Sequence, residues 1–177
     1  MVVCSEFPAF AKSELSNEKV LSEVRSLFDT VMISDVRLLE CRAESASVDY
    51  ENLYIALSRR AKGYCSKEHD RLWADVHFRI ACRTSQDDSK KPDVLIEAKY
   101  RASYAQSSKL TASQEALDFF AQTNATFNLW PYWREFVHST AERMSISGLV
   151  VPSYRIEEAF SGPGTSKRAA QRKKRTK

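Results

Sequence analysis

Leu72-Trp73-Ala74-Asp75-Val76-His77-Phe78-Arg79-Ile80-Ala81-Cys82-Arg83 alternates along its whole length. Successive side chains of an extended chain point to opposite faces, so Leu72, Ala74, Val76, Phe78, Ile80 and Cys82 share one side. Trp73, Asp75, His77, Arg79, Ala81 and Arg83 share the other. A strand of this kind has one face in a core and one in water. A polar stretch from Thr84 to Asp93, with Pro92 near its end, reads as a loop. After it Val94, Ile96, Ala98, Tyr100, Ala102 and Tyr104 alternate with Leu95, Glu97, Lys99, Arg101 and Ser103. Two adjacent one-sided strands predict an antiparallel hairpin, because parallel neighbours would need a crossover helix and two buried faces.

Moving toward the N-terminus, Val48 to Asp70 carries Tyr50, Leu53, Tyr54, Ile55, Leu57 and Tyr64 without a clean period, and Gly63 interrupts it. This predicts a long irregular connection. Before it, Val36 to about Ser47 alternates as a strand that follows Ser34-Asp35. From Asn17 to Ile33 the positions Val20, Leu21, Val24, Leu27, Phe28 and Val31 recur at three and four residues, which predicts an amphipathic helix capped by Asn17. Residues 1–16 include Pro8 and hold no sustained period, as in a flexible arm.

The C-terminal half is helical in character. Ser113 to Gln122 predicts a short helix ending before Asn124. Pro131 suits the first turn of a second, whose apolar face is Trp133, Phe136, Val137, Thr140, Ala141 and Met144. Gly148 is expected to end that helix, and Leu149 to Pro152 reads as a short extended apolar piece. Residues 161–177 are Gly, Pro, Ser, Ala and basic residues, which cannot bury enough apolar area to fold. The main domain is thus expected at 17–160.

These 177 residues are 43% apolar, enough for one ordinary core. Of the 27 basic residues, seven lie in Ser166–Lys177, where there is no acid. Taking those away leaves 20 against 23 acidic residues, so the body has net charge −3 while the whole chain has +4. The basicity belongs to the tail. No apolar run approaches the ~18 residues of a membrane span, and Met1–Glu6 lacks the layout of a signal peptide, so a cytoplasmic location is expected. Cys4, Cys41, Cys65 and Cys82 are scattered, as expected of reduced thiols.

Searching for chemistry returns little. Cys65 and His69 stand four apart, half a metal site or half a thiol-base pair, and His77 and His138 fall on solvent-facing positions. Gly occurs only at 63, 148, 162 and 164, so no phosphate-binding loop is present. Asp87-Asp88 and Glu157-Glu158 read as solubilising pairs. No catalytic residue, metal or cofactor is expected. The aromatics of the long connection say more: a loop of that length inside a domain is uncommon, and one rich in Tyr, Leu and Ile suggests an apolar lining near the surface. A loop folded over its own core would account for the same residues.

The run Asn124-Ala125-Thr126-Phe127-Asn128-Leu129-Trp130-Pro131-Tyr132-Trp133-Arg134-Glu135-Phe136-Val137, then Arg143-Met144 and Leu149-Val150-Val151-Pro152, resembles the C-terminal signature of SecB-family chaperones. With the preceding β pattern the likeness spans roughly residues 34–156. The resemblance implies an α+β fold, a four-stranded antiparallel sheet with helices packed on one side, assembled as a dimer of dimers. It also implies a chaperone without catalysis or cofactor, which holds unfolded chains in apolar grooves. Some members pass clients to the SecA export motor, and a related branch protects an antitoxin of a toxin-antitoxin module. Exporting members usually end in an acidic tail, whereas this chain ends in Lys167-Arg168 and Arg172-Lys173-Lys174-Arg175, which favours the branch outside mainstream export; so does the long helical segment ahead of the first strand.

On that resemblance, Tyr50, Leu53, Tyr54, Ile55 and Leu57, with Phe119, Phe120 and Trp130, are expected to line the client groove. Trp133, Phe136, Val137 and Met144 are expected to bury in a subunit interface or against the sheet. Two rivals come from other classes. One is a nucleic-acid-binding regulator acting through the basic tail. The other is an enzyme using Cys65 and His69.

Overall fold

The computed structural model describes residues 2–5, 18–46, 53–66, 71–85, 87, 91–107 and 112–154. In chain order these form β1 (Val2–Ser5), α1 (Glu18–Thr30), β2 (Val31–Ser45), β3 (Tyr54–Cys65), β4 (Leu72–Arg83), β5 (Val94–Gln106), α2 (Gln114–Phe120) and α3 (Thr126–Arg143), with one π-helical turn at Ala121–Ala125 between the two helices. The sheet runs in the order β1-β3-β4-β5-β2. Its four long strands are antiparallel, and β1 adds a short parallel strand to β3. The helices pack on one side, as expected.

The hairpin is where alternation places it, with Leu72 opposite Tyr104 and Cys82 opposite Val94. Three expectations change. The first concerns residues 48–70: Tyr54–Cys65 is not an irregular connection but a full strand beside β4. Its inward positions are Leu53, Ile55, Leu57, Arg59, Ala61 and Gly63, and the last three hide the period. Arg59 is buried because its guanidinium lies 5.2 Å from the centre of the Tyr154 ring. Gly63 permits close approach: a Cβ there would lie 2.2 Å from the carbonyl oxygen of Leu117 in α2. The Gly63 N–H donates to Asp118 Oδ1 at 3.0 Å, and Gln114 Nε2 donates to the Gly63 oxygen at 3.0 Å.

The second change is at the first helix. It ends at Thr30, and Val31, Met32 and Ile33 open β2 directly, pairing with Gln106, Ala105 and Tyr104. Val2–Ser5, read as part of a flexible arm, is a strand; the rest of residues 1–16 lies outside the described residues.

The third change is that the two C-terminal helices are one rod. The turn at Ala121–Ala125 joins them, with the hydroxyls of Thr123 and Thr126 donating to the carbonyls of Phe119 and Ala121 at 2.8 and 3.0 Å. Pro131 lies inside α3 on its exposed side, so the backbone carbonyl that its missing N–H would have met can turn to water. The rod stops at Ser145, not Gly148: Ser145 takes φ 57°, and the Ile146 N–H donates to the Ala141 oxygen at 2.9 Å. Buried Ile146 completes that cap.

Phe78, in the middle of β4, is the centre of the core. Trp133 stacks on it at 5.4 Å between ring centres, and Trp130 and Tyr100 meet it edge-on at 5.7 and 6.3 Å. The chain then returns across α3, where Trp130 Nε1 donates to the Pro152 oxygen at 2.9 Å and Arg134 Nε to the Val151 oxygen at 3.0 Å.

Replacing Gly63 by Ala forces α2 off β3, because the obstacle is backbone. The expected cost is roughly 1–3 kcal/mol, read by calorimetry as a fall of several degrees in Tm. An unchanged Tm would show that α2 does not rest on this position.

Candidate functional site

Most residues expected to line a groove are inside the molecule. Leu53, Ile55, Leu57, Phe119, Phe120 and Trp130 are all buried in the single core. For the first three the reason is β3: inward positions of a strand beneath α2 and the π-helical turn meet those elements rather than solvent. Tyr54 is half-buried and stands on the other face, opposite Arg83; Tyr50 lies outside the described residues. The expected interface face is likewise divided. Trp133 and Val137 are fully buried against the chain's own sheet, while Phe136 and Met144 are half-buried at its margin.

Among the described residues, Met32, Ile33, Leu38 and Leu39 of β2 are exposed apolar residues on one strand, with Phe28, Phe127, Tyr132 and Val150 exposed elsewhere. α2 packs on β3, and α3 packs on β5 and β4, so β2 projects one strand beyond the helices. Its helix-side positions follow from register: Ile33 opposite Tyr104, Val36 opposite Ala102, Leu38 opposite Tyr100, Cys41 opposite Ala98 and Ala43 opposite Ile96. These continue the core face of β5, yet Ile33 is 43% and Leu38 45% exposed, and Cys41 and Ala43 are exposed too.

This shelf has defined borders. The Tyr104 hydroxyl accepts from Asn128 Nδ2 at 3.3 Å, and the Tyr100 hydroxyl donates to the Tyr132 backbone oxygen at 3.4 Å, so α3 forms one wall. The side chain of Tyr132 is 49% exposed along it. At the β2 start, Phe28 of α1, packed 5.6 Å from Phe120, is also exposed. The outer edge of β2 has no neighbouring strand among the described residues. Burial pushes the hydroxyls of Tyr100 and Tyr104 up to about 12, so both remain neutral at physiological pH. The shelf therefore offers Ile and Leu side chains, aromatic rings and a strand edge, without charge on its floor.

The alternation of Val36, Leu38 and Glu40 could have revealed part of this shelf, but alternation does not say whether a helix covers a given strand. Ile33 was hidden by its place at the end of a helical period.

Catalytic and metal chemistry gain nothing here. Among the described residues, no group of three or more His, Cys, Asp or Glu is placed to hold a metal ion. Cys65 is half-buried and His69 lies outside the described residues. Among the same residues, no helix is long and apolar enough to cross a membrane.

No protein-family model and no curated protein matches the sequence. Solved structures do match. Among them is the SecB-like chaperone Rv1957 of Mycobacterium tuberculosis, in complex with a ChAD peptide from the HigA1 antitoxin Rv1956. The two chains are 18% identical with a TM-score of 0.65, and the match covers 77% of this chain and 99% of that one. At this identity the likeness is one of fold, and the fold is SecB-like.

The thiols give a direct check of the shelf. Cys41 is exposed on it, whereas Cys82 is buried and burial pushes its pKa to about 12. Iodoacetamide at mildly alkaline pH is expected to modify Cys41 and to spare Cys82 until the protein is unfolded. Equal labelling of the two in the native protein, read by peptide mass mapping, would contradict the burial assigned here.

Proposed function

We propose that this chain is a holding chaperone: it binds extended apolar segments of other polypeptides and keeps them from aggregating. The observation that carries this reading is the shelf on β2, a core face continued past its helices and left accessible. The fold supports it, since a SecB-like neighbour is bound to a peptide from an antitoxin. An antitoxin or another unfolded protein is the kind of partner proposed for this chain. The reading is of a non-enzymatic, cofactor-free protein acting in the cytoplasm.

The energetics set how the shelf must work. Burying one large apolar side chain yields roughly 1.5–3 kcal/mol, and association costs on the order of 4–15 kcal/mol. One anchor is not enough. Ile33, Leu38, Phe28 and Tyr132 must act together, with the free edge of β2 able to pair with the client backbone. Pockets that read apolar bulk and not sequence give broad client choice, and repetition of the shelf in an oligomer adds avidity.

The double replacement Ile33→Ser and Leu38→Ser removes two exposed anchors. It is expected to raise the chaperone concentration needed to suppress aggregation of a thermally unfolded model enzyme by roughly a hundredfold, since two lost side-chain burials at the lower figure sum to about 3 kcal/mol. Circular dichroism should be unchanged, since neither side chain is in the core. Full holding activity in a folded double variant would rule the shelf out.

Assembly is the second part of the proposal. It rests on the family resemblance of the sequence, which implies a dimer of dimers, and on the avidity that repeated shelves would add. Sedimentation at micromolar concentration is expected to give a homo-oligomer, a dimer of dimers; a monomer at that concentration would remove the avidity on which the affinity estimate leans.

A further inference from the structure

The face of the sheet opposite the helices carries a different chemistry. Register places its side chains in rows across β3, β4, β5 and β2. Arg60, His77, Lys99 and Glu40 form one row. Lys62, Asp75, Arg101 and Arg37 form the next, and Ser58, Arg79, Glu97 and Arg42 flank the first on its other side. Three basic side chains, Arg60, His77 and Lys99, therefore stand directly opposite one another.

The carboxylates of the central strands are already engaged. Asp75 accepts two bonds from Arg101, at 2.7 and 2.9 Å, and lies 4.0 Å from Lys99; Glu97 pairs with Arg79 at 3.0 Å. Among the described residues no carboxylate pairs with Arg60, Lys62 or His77. An open depression of about 490 Å3 lies among Ser58, Arg59, Arg60, His77, Arg79 and Glu97. Outside the tail the chain is net acidic, so this concentration of cations is a segregation of charge and not an average property.

We propose that this face docks an acidic polypeptide segment, whose carboxylates meet Arg60, Lys62 and His77. Charge complementarity identifies the partner as anionic. The arrangement of the anions and rings then selects peptide over nucleic acid. Asp75, Glu97 and Glu40 interrupt the basic surface, so its cations do not form the continuous track that a phosphate backbone follows. The Tyr64 and Trp73 rings stack on each other at 5.7 Å, and each has a cation near it, Lys62 5.7 Å from the Tyr64 centre and Arg101 5.8 Å from the Trp73 centre, so both rings are already engaged and make a poor platform for a base. The surface is separate from the shelf, on the other side of the sheet, and the inference does not depend on what the shelf holds.

The test is anisotropy of a fluorescein-labelled oligoglutamate peptide with the full chain at low salt. Arg60→Glu with Lys62→Glu is expected to weaken binding by about tenfold, as for two exposed ion pairs turned to repulsion, and Arg60→Ala with Lys62→Ala by less. Both side chains lie at the surface, and circular dichroism verifies folding. A third variant, with Arg168, Arg172, Lys173 and Lys174 changed to Gln, is expected to keep most of the affinity. Binding unaffected by either pair of face substitutions overturns the proposal. So does binding that is lost with the tail charges alone, or a labelled oligouridylate that binds more tightly than the peptide and depends on Arg60 and Lys62. Suppression of client aggregation by the face variants is expected to be unchanged, which keeps this outcome distinct from that for Ile33 and Leu38.

Discussion

The stacking of Trp133 on Phe78 holds the molecule in register. Phe78 sits at the middle of β4, the central strand of the five, and one ring contact there fixes where the α2–α3 rod crosses the sheet. Once α3 lies over β4 and β5, Trp130 and Arg134 hold the backbone at Pro152 and Val151, and Leu149 and Val151 close the end of the core. The same placement leaves β2 uncovered. A rod centred one strand further over would bury Ile33 and Leu38.

This explains why the signature that points to the fold does not mark a binding site. Trp130, Trp133, Arg134 and the Leu149–Pro152 piece are brought together, but to pin one another. Trp130 packs 5.1 Å from Tyr154, Tyr154 receives Arg59, and Arg59 occupies an inward position of β3. Such a chain of contacts ties the C-terminal strap to the sheet. Residues with this many internal partners identify an architecture, while the surface that acts on other molecules must be built from residues whose own partners are missing.

The legible part of the fold was the part in which local pattern and tertiary environment agree. β4 and β5 have buried neighbours on one face and charged ones on the other, so alternation sufficed. β3 could not be read, because Arg59 and Gly63 stand where apolar residues would be expected, and each is explained only by a partner far along the chain, Tyr154 or Leu117. The rod was divided in two for a similar reason: Pro131 is a helix breaker in isolation, and its exposed position in α3 is a tertiary fact. The candidate surface was the least legible element. Ile33, Leu38 and Phe28 are as apolar as Leu53, Ile55 and Phe120, so composition could not tell them apart; only the position of the helices leaves the first three exposed.

An accessible apolar strand at the edge of a sheet invites uncontrolled aggregation, and the construction of β2 limits it. Its opposite face alternates in sign, with Arg37 on Asp35, Arg42 on Glu44 and Lys99 on Glu40. Register shifts between Ile33 and Asp35 and between Leu38 and Glu40 break the ladder into short pieces. The second irregularity follows Leu38 directly, so the apolar side chains sit beside the places where a long added strand would lose its pairing. Side-chain capture of a short extended segment remains favourable, while indefinite strand addition does not. The charged face carries that logic to the rest of the sheet: ion pairs and cations occupy one side, and exposed apolar residues lie on the other, along β2 and the ends of the helices beside it.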